Sequence, residues 1–466
     1  MPSDTSELPI AEIAHEVVVV DPGAPVAAGA EIDLGDTFTE PAIRRNFERV
    51  EHHEAAHLFR MHDITLFAPH MLLFHGRRPI RETRYLVSDE EFAYAQAARS
   101  HSIAQDPGEH FIIGSNRVWR NYFHWLIQAV PAIDWSLRHA IHRRPTLVLW
   151  PLQPWHEETL DLLGWREERR LVLEEGHDTY HLPSAEFSDF LGSEAPYRLS
   201  RASMMTFRRM AQGVPWSRGT AEAIYVARTD TQNRVAANEA EVIDLMQRQG
   251  VQVVVPGTLS VREQIATFRS ARLVIGPHGA GMSNIAFCES GSFVYEMLPR
   301  HFPNAVFGRL AQAAGLNYWA DLFDSHGEGH VHERGWRVDL DLVARRLDAL
   351  RARMAATPRT ESAMGFLRRT QAAHPDDLEA QAAGMPAAAR AEAALPAVAM
   401  PVVAVPAVTV PVVAVPAVTV PVVAVPAVAA ALPETPPPDT LPPEAPAPRR
   451  GFLRRLLSRD TADQDR

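Results

Sequence analysis

A glycine-rich run in the second half of the chain has the composition of an anion-binding turn. Residues 276–284 read GPHGAGMSN and directly follow the apolar run 272–275. Glycines permit a tight turn and a close approach of the backbone, and the amides that open a following helix attract anions. The spacing G-x-x-G-x-G differs from the dinucleotide and P-loop patterns, and no lysine follows it. The run therefore favours a diphosphate site, with a simple structural turn as the alternative.

Charged residues follow neighbouring apolar runs, where they can reach the same anion. Arg228 comes just after the run 223–227, and a guanidinium fork suits a diphosphate. Arg234 lies on the next turn, where a surface salt bridge is an equal alternative. Glu296 ends the run 293–297 and is suited to ribose or sugar hydroxyls, or to capping a helix. His278 fits either a donor to a phosphate oxygen or a buried structural histidine.

An aromatic cluster in the first half combines flat rings with hydrogen-bonding groups. Asn121, Tyr122, His124 and Trp125 lie within the stretch NYFHW. Aromatic faces with polar neighbours suit sugar rings, so Asn121, Tyr122 and Trp125 are candidate substrate-binding residues. His124 is the candidate general base, because the unperturbed pKa of histidine lies near neutrality. The alternative is that the aromatic residues form core and His124 is a packing residue.

Two short motifs carry the letters of metal sites. The stretch 53–57 reads H-E-x-x-H, which on a helix would set His53 and His57 on one face for zinc with Glu54 as a base. A solvated helix face is the favoured interpretation. The D-x-D at Asp339 and Asp341 starts a predicted helix, away from the strand ends. We therefore predict no bound metal and no cofactor.

The elements that must position these residues alternate between strands and helices. In the second half, strand-like runs at 223–227, 251–255, 272–275 and 293–297 are separated by helix-like segments at 238–249, 260–270 and 282–287. Such alternation predicts a parallel sheet that binds ligands at the carboxyl ends of its strands. An Arg/Leu-rich helix at 342–354 closes the predicted globular part.

The first half alternates less regularly. Its predicted elements are apolar runs at 17–20 and 71–74 around a helix-like segment at 41–61, a helix at 121–140 kinked at Pro131, strands at 146–150 and 171–173, and a helix at 200–213. The fold class predicted is α/β, with a layered α/β domain in the first half and a Rossmann-like domain in the second. Their predicted ranges are 1–205 and 206–355, followed by a linker and Pro/Val-rich repeat at 356–448 and a basic tail at 449–466.

Composition limits the class of function. The chain has 57 acidic and 46 basic residues and a formal net charge of −11, which argues against a nucleic-acid binder. Cys288 is the only cysteine, which excludes an intramolecular disulfide and a multi-cysteine zinc site. The acidic start lacks the pattern of a signal peptide, so we expect a cytoplasmic protein.

The C-terminal segment differs in composition from the rest. Residues 395–432 carry no charge and repeat PVVAVPAVTV, with proline at every fifth position. Because each interior proline costs a helix about 3 kcal/mol, we expect a disordered, extended spacer rather than a membrane helix. The stretch RRGFLRRLLSRD near the end suits a short basic helix on the inner face of a membrane or on a partner, or a solvated tail.

Together these residues resemble glycosyltransferase family 61, which includes bacterial capsular-polysaccharide enzymes and plant and animal sugar transferases. The resemblance covers roughly residues 77–319. Its most specific part is the run 276–284, followed by Glu296 and the residues MLP. The stretch 121–126 resembles the signature of the family's first half, and the stretch 225–228 with Arg234 resembles its arginine motif. In the family a serine usually precedes the arginine, and here Ala227 does.

The resemblance implies a GT-B arrangement of two facing Rossmann-like domains, with an acceptor-side domain at 1–205 and a nucleotide-sugar-binding domain at 206–355. It assigns the nucleotide to Arg228, Arg234, His278, Gly279, Ala280, Gly281, Met282, Asn284 and Glu296. It implies an inverting, metal-independent transfer from a nucleotide-sugar, expected to be UDP-linked, to a glycan or lipid-linked glycan of a capsule or exopolysaccharide. Three alternatives remain open: a non-catalytic nucleotide- or glycan-binding scaffold, a nucleotide-sugar epimerase, and a zinc hydrolase at residues 53–57.

Overall fold

The computed structural model describes residues 6–26, 31–48, 50–97, 103–142, 144–192, 197–217, 220–231, 233–328 and 334–357. The chain divides into two compact units, Met1–Ala372 and Ala373–Arg466, and all described residues belong to the first. The predicted Pro/Val-rich repeat and basic tail lie outside the described residues.

The second half of the chain forms a parallel sheet. In the described residues its spatial order is Gln252–Val254, Ala223–Val226, Leu273–Pro277, Phe293–Pro299, Asn317–Phe323 and Ile32–Leu34. Every neighbouring pair is parallel. The three strands from Leu273–Pro277 to Asn317–Phe323 are buried at every residue, which explains their nearly continuous apolar sequence. The predicted parallel sheet is confirmed, and the last two strands of the order were not predicted.

Four helices connect these strands, and a fifth follows the last of them along the chain. They are Glu239–Arg248, Val261–Ser270, the 3₁₀ helix Ala280–Phe287, Val306–Ala314 and Leu340–Ala356. Ser260 and Glu263 form a capping box at the start of the second helix. Asp339 caps the last helix by accepting from the amide of Leu342 at 3.0 Å. The first acidic residue of the D-x-D motif therefore serves as a helix cap.

The first half forms a mixed sheet. Within the described residues its strands are Glu16–Asp21, Ala56–Phe67, Leu72–His75, Arg78–Pro79, Ile103–Ala104, Phe111–Ile113, Thr146–Leu149, Arg170–Val172 and Thr179–Ser188. The two longest, Ala56–Phe67 and Thr179–Ser188, pair antiparallel, while Phe111–Ile113 and Thr146–Leu149 pair parallel. The α/β class is thus confirmed, and the arrangement as two facing GT-B domains stays a prediction.

The segment at 41–61 differs from the predicted helix. Only Pro41–Asn46 is helical, and residues 52–53 and 56 onwards are strands. Residues 58, 61, 64 and 66 are fully buried apolar positions of the long strand Ala56–Phe67, which spans the sheet between two partners. Tertiary pairing therefore overrides the local helical pattern.

The aromatic cluster lies on a helix with an irregular turn, as the predicted kink at Pro131 required. The α-helical parts are Tyr122–His124 and Val130–Arg138, joined by the π turn Trp125–Ala129. Proline lacks a backbone donor, so the turn before it widens instead of continuing the regular ladder. Such π turns reorient side chains at functional sites.

Shorter elements complete the described part of the chain. The remaining α-helices are Ile10–Ile13, Asp89–Ala97, Pro154–Leu163 and Arg201–Gln212; the remaining 3₁₀ turns are Ala68–His70, Arg81–Thr83, Asp189–Leu191 and Pro256–Thr258. Two short antiparallel strand pairs join Ala24–Pro25 to His52–His53 and Ser325–His326 to Gly335–Trp336. No helix among the described residues is long and apolar enough to cross a membrane.

One continuous core joins the two sheets. The buried cluster that contains Phe111 and Leu147 of the mixed sheet also contains Val274 and Val294 of the parallel sheet. The strand Ile32–Leu34, early in the chain, completes the edge of the parallel sheet beside Asn317–Phe323. The predicted division at residue 205 stays a prediction, and this strand belongs to the sheet on its far side.

Candidate functional site

The glycine loop, residues 276–284, leaves the end of strand Leu273–Pro277 and approaches other backbone and side chains closely. A Cβ on Gly279 would lie 1.4 Å from Nη1 of Arg228, inside its guanidinium. A Cβ on Gly281 would lie 3.1 Å from Cγ of Pro256. The φ angle of Gly279 is 177°, which any residue adopts. Space, and not backbone conformation, is therefore what requires glycine at position 279.

The 3₁₀ helix of the glycine loop limits which backbone amides can face a ligand. The amide of Met282 donates to the carbonyl of Gly279 at 2.9 Å, so it is already used within the loop. Ala280 and Gly281 precede this first bond and are the amides that a helix start leaves for an anion. The Met282 side chain is fully buried, with its sulfur beside Gly276. Of the predicted amides, those of Ala280 and Gly281 fit an anion site.

Arg228 reaches the glycine loop from the neighbouring strand and is buried with an incomplete set of partners. Its Nη2 donates to the carbonyl of Asn233 at 2.6 Å, and its backbone amide donates to Glu239 at 3.0 Å. Its Nε has no hydrogen-bond partner among the described residues, and the side chain is only 8% exposed. Burial lowers the pKa of Arg228, although nearby Asp230 and Glu239 oppose this effect. A bound anion would supply the missing partner.

A hydrogen-bonded chain orients His278 within the loop. Its Nδ1 lies 2.6 Å from Oε1 of Glu296, and the other carboxylate oxygen accepts from the hydroxyl of Tyr318. Because a carboxylate accepts, His278 carries its proton on Nδ1, and Nε2 is the remaining nitrogen. Burial lowers the pKa of His278, Glu296 opposes this, and the two arginines lower it further. Glu296 is fully buried and orients His278, so its contact with a ligand stays a prediction.

Arg234 joins the same electropositive cluster through an aromatic contact. Its guanidinium carbon lies 5.0 Å from the ring centre of Phe302, and that ring contacts His278 at 5.4 Å. Arg234 has a left-handed φ of 54°, and its carbonyl accepts from the Trp336 indole at 2.9 Å. Burial and the repulsion from Arg228 lower its pKa to about 10. The structure thus brings Arg228, Arg234 and His278 together, as the sequence predicted.

Asn284 connects the glycine loop to the aromatic helix of the first half. Its Nδ2 donates to Gln264 at 2.7 Å and to the carbonyl of Gly281 at 3.1 Å, and its Oδ1 accepts from the Tyr122 hydroxyl at 2.7 Å. Asn284 is fully buried and Tyr122 is half-buried. These two residues therefore hold the loop against the helix, a structural role beside the binding roles predicted for them.

Other residues of the predicted aromatic cluster have structural functions. Asn121 caps the helix by accepting from the amide of Phe123 at 3.0 Å, and its side chain remains exposed. Trp125 is 0% exposed and donates through its indole to Thr159 at 2.8 Å. An enclosed indole has no free face for a sugar ring, so the predicted contact of Trp125 with substrate is replaced by packing.

His124 is half-buried and belongs to a fixed chain of hydrogen bonds. Asn116 Oδ1 accepts from the amide of Val118 at 3.2 Å, so its Nδ2 is the group that donates to Oε1 of Gln128 at 2.9 Å. Gln128 Oε1 is therefore an acceptor, and His124 Nδ1, at 2.9 Å, must donate to it. The neutral imidazole consequently has its lone pair on Nε2. Burial lowers the pKa of His124 to about 4, although the bond to Gln128 raises it.

Sequence reasoning missed Gln128 and Tyr318. Gln128 lies four residues after His124 on the same helix, a spacing that places two side chains side by side. That spacing was available as a signal. Tyr318 lies on a strand that was not predicted, so its bond to Glu296 had no local signal in the sequence.

One aromatic side chain connects the surroundings of the two histidines. Phe307 lies 4.9 Å from the ring centre of His278 and 5.7 Å from that of Phe123, the neighbour of His124. Tyr122 of the aromatic helix and Asn284 of the glycine loop form a second connection between the surroundings of His124 and those of His278. The electropositive loop and the candidate base therefore border one region of the molecule.

The H-E-x-x-H stretch lies on strands, so the helical face that a zinc site would use does not form. His53 Nδ1 contacts the carbonyl of Leu199 at 3.1 Å, and His57 Nδ1 contacts Asp189 at 2.9 Å. Among the described residues no group of three or more histidine, cysteine or acidic side chains is arranged to hold a metal ion. In the structure, His53 and His57 of this stretch therefore make structural contacts.

Residues 122–295 match the family model described as Glycosyltransferase 61. The match spans the aromatic helix, Arg228, the glycine loop and the first three residues of strand Phe293–Pro299, and it ends just before Glu296. It confirms the resemblance predicted from the sequence and supports transferase activity in general. No curated protein matches the chain.

Proposed function

We propose, from the premise that residues 122–295 form a glycosyltransferase family 61 region, that the protein transfers a sugar from a nucleotide-sugar to a hydroxyl group of a glycan. Further parts of the proposal are a GT-B arrangement of the two sheets, a cytoplasmic location and a capsule or exopolysaccharide acceptor. Contact of the basic tail with the inner membrane face belongs to it as well. These parts rest on the resemblance and on the composition of the chain.

The observation that carries the proposal is the buried guanidinium of Arg228 above Gly279. An arginine that is 8% exposed and has an unpartnered Nε is an incomplete ion site until an anion arrives. Arg234 and the Ala280 and Gly281 amides add positive charge next to it. This cluster matches what a leaving diphosphate needs, since stabilisation of the developing negative charge is usually the largest catalytic effect.

The proposed reaction is a single displacement. His124 Nε2 takes the proton of the acceptor hydroxyl, whose oxygen then attacks the anomeric carbon. The bond from that carbon to the diphosphate oxygen breaks, and the diphosphate leaves with the electron pair beside Arg228. One in-line displacement inverts the anomeric configuration. The fixed Nδ1 donor bond to Gln128 supports this role, because it leaves the second ring nitrogen free to accept.

Metal independence is the remaining part of the proposal. The arginine and histidine cluster supplies positive charge where a D-x-D motif would otherwise hold a divalent ion. The D-x-D at Asp339 and Asp341 begins the helix Leu340–Ala356, with Asp339 as its cap, and a second D-x-D, at Asp463 and Asp465, lies outside the described residues. We also expect a UDP-linked donor, an expectation that rests on the resemblance to glycosyltransferase family 61.

The test is a thermal-shift and calorimetry panel of UDP, GDP, CDP, CMP and NAD, each with and without EDTA. A ligand that binds only the folded protein raises the melting temperature. We expect one nucleoside diphosphate to stabilise the wild type regardless of EDTA and to lose its effect in Arg228→Ala. Arg337→Gln is the matched control, because Arg337 is exposed and pairs with Glu241 elsewhere on the surface.

The outcomes separate the proposal from its rivals. If no nucleoside diphosphate binds, or if EDTA abolishes binding, the proposed donor site is wrong. Binding with no transfer to any glycan acceptor would favour a scaffold. Turnover of the nucleotide-sugar without an acceptor that survives His124→Ala would favour an epimerase.

A further inference from the structure

A cleft of about 360 Å³ opens beside the electropositive cluster. Its walls are formed by the segment between strand Phe293–Pro299 and helix Val306–Ala314, the start of that helix, and the end of helix Pro41–Asn46. The side chains that matter for its chemistry are Asn46, His301, Phe302, Asn304 and Arg309. Neither the sequence motifs nor the proposed diphosphate contacts account for this cleft.

The cleft is next to the diphosphate cluster, and the helix that lines it also contacts the neighbour of His124. Phe302, one of its walls, contacts both Arg234 and His278 of the diphosphate cluster. Phe307, in the helix that lines it, contacts His278 on one side and Phe123, the neighbour of His124, on the other. A donor sugar must lie between its own diphosphate and the base that activates the acceptor. The segment 302–307 contacts the diphosphate cluster through Phe302 and the neighbour of His124 through Phe307.

Arg309 gives this cleft an unbalanced charge. Its side chain makes no hydrogen bond or ion pair with any described residue, and its Nε is buried without a partner. None of the described residues that line the cleft is acidic. Other arginines that are withdrawn from solvent, such as the buried Arg60 and the half-buried Arg346, are paired with carboxylates. A positive charge left in this position is a recognition element for a negative one.

The other walls suit a sugar that carries this negative charge. Phe302, Pro303 and Val306 provide apolar surface for the carbon–hydrogen face of a ring. Asn304 Oδ1 accepts from the amide of Val306 at 3.0 Å, which leaves its amide nitrogen as a donor for hydroxyl or carboxylate oxygens. A neutral sugar would use the apolar wall and leave Arg309 unpaired.

We propose that this cleft binds the sugar of the donor, an inference that rests on the proposed function. We further propose that Arg309 selects a carboxylate-bearing sugar, a uronate, over a neutral one. The guanidinium pairs with the carboxylate, and Phe302 packs on the ring. Arg309 is thus a residue that determines donor specificity and takes no part in the displacement itself.

The test compares nucleotide-linked glucuronate with nucleotide-linked glucose, using the base that the nucleotide panel identifies. We expect the wild type to bind the glucuronate form roughly tenfold more tightly, the size of one charge-assisted hydrogen bond. Arg309→Gln should abolish this preference and leave the affinity for the free nucleoside diphosphate unchanged. Arg309→Lys should retain part of it, and Arg337→Gln all of it.

The same experiment separates this inference from the proposed function. Binding of the free nucleoside diphosphate reports the diphosphate site alone. Equal affinity of the wild type for both sugars, or a preference that survives Arg309→Gln, would overturn the role of Arg309 while the donor site stands. A preference seen only for free methyl glucuronoside added to the diphosphate complex would overturn the assignment to the donor.

Discussion

The guanidinium of Arg228 occupies the space in which a side chain at residue 279 would begin. A Cβ on Gly279 would lie 1.4 Å from its Nη1, whereas real atoms at this distance would be covalently bonded. The two residues come from neighbouring parallel strands, Ala223–Val226 and Leu273–Pro277, whose carboxyl ends meet at one edge. A side chain at residue 279 therefore requires the Arg228 guanidinium to move from its place above the loop.

Gly279→Ala should displace Arg228 from the loop. We expect a loss of about 1–3 kcal/mol in the free energy of unfolding, typical of a group inserted into packed structure. Nucleoside diphosphate binding should weaken to the level of Arg228→Ala. Urea unfolding and calorimetry measure the two effects.

Gly213→Ala is the matched control for this substitution. No atom lies within 4 Å of a Cβ at residue 213, and its φ of −93° suits any residue. We expect a change within about 1 kcal/mol and full nucleotide binding. If Gly279→Ala behaves like this control, the proposed contact between Arg228 and the loop is wrong.

Tyr122→Phe should loosen the connection between the aromatic helix and the glycine loop. The substitution leaves the buried Oδ1 of Asn284 without its donor at 2.7 Å, an effect of about 1–3 kcal/mol on unfolding. Nucleotide affinity should fall as well, because Asn284 also holds the carbonyl of Gly281. Urea unfolding and calorimetry test both, with the half-exposed Tyr94→Phe as a control of unchanged stability. Unchanged stability in Tyr122→Phe would contradict the bridging role.

Local patterns in the sequence predict the parallel sheet well and the mixed sheet poorly. Each predicted strand of the second half is a short apolar run between amphipathic helices, a pattern that parallel sheets require. The segment 41–61 has charged residues at helical spacing, yet residues from Ala56 onwards form a long antiparallel strand. The partner with which it forms its longest ladder, Thr179–Ser188, lies more than a hundred residues away in sequence, and no local window contains it.

The candidate site was predictable where one motif contains the chemistry and unpredictable where strands from distant parts of the chain supply it. Arg228, His278 and Glu296 each follow an apolar run, and the strand edge brings them together. The partner of Glu296, Tyr318, depends on a strand that the pattern did not reveal. Trp125 was predicted to bind substrate because it is an aromatic residue next to polar ones, yet its side chain is packed in the core.

Gln128→Glu should raise the pKa of His124 and thereby move the acid limb of the pH–rate profile upward. Burial holds this pKa at about 4, because the hydrogen-bond partners of the imidazole among the described residues, Gln128 and the Tyr85 hydroxyl, are neutral groups. A carboxylate in the same place favours the charged imidazolium, which cannot act as a base. As the pH is lowered, the Gln128→Glu variant should therefore lose activity at a higher pH than the wild type does.

The control for this prediction is Gln128→Leu, which removes the acceptor without adding charge. It should lower kcat and move the acid limb to lower pH, opposite to Gln128→Glu, because the bond to Gln128 raises the pKa of His124. Imidazole NMR of His124, assigned through His124→Asn, gives the pKa and the protonated nitrogen independently of turnover. An unshifted His124 pKa in Gln128→Glu would show that Gln128 does not contact it.

Binding of a nucleoside diphosphate should be coupled to proton uptake at His278. In the free protein its pKa is lowered by burial and by the two arginines, and Nδ1 donates to Glu296 at 2.6 Å. A neutral imidazole then presents a lone pair on Nε2, which repels a phosphate oxygen. A bound phosphate offsets the arginine charges and stabilises a proton on Nε2, because this proton can be donated to a phosphate oxygen. The pKa of His278 therefore rises in the complex.

The sign of the pH dependence follows from this rise. Between the lowered pKa of the free protein and the higher pKa of the complex, the complex holds more protons, so affinity increases as the pH falls. Calorimetry in buffers of different ionisation enthalpy near neutral pH measures the uptake directly. His278→Asn keeps a donor towards Glu296 and removes the titrating group, so its uptake should fall to that of the phosphate alone. Equal uptake in both proteins would mean that His278 does not face the diphosphate, and the loop would then bind through its amides and Arg228 only.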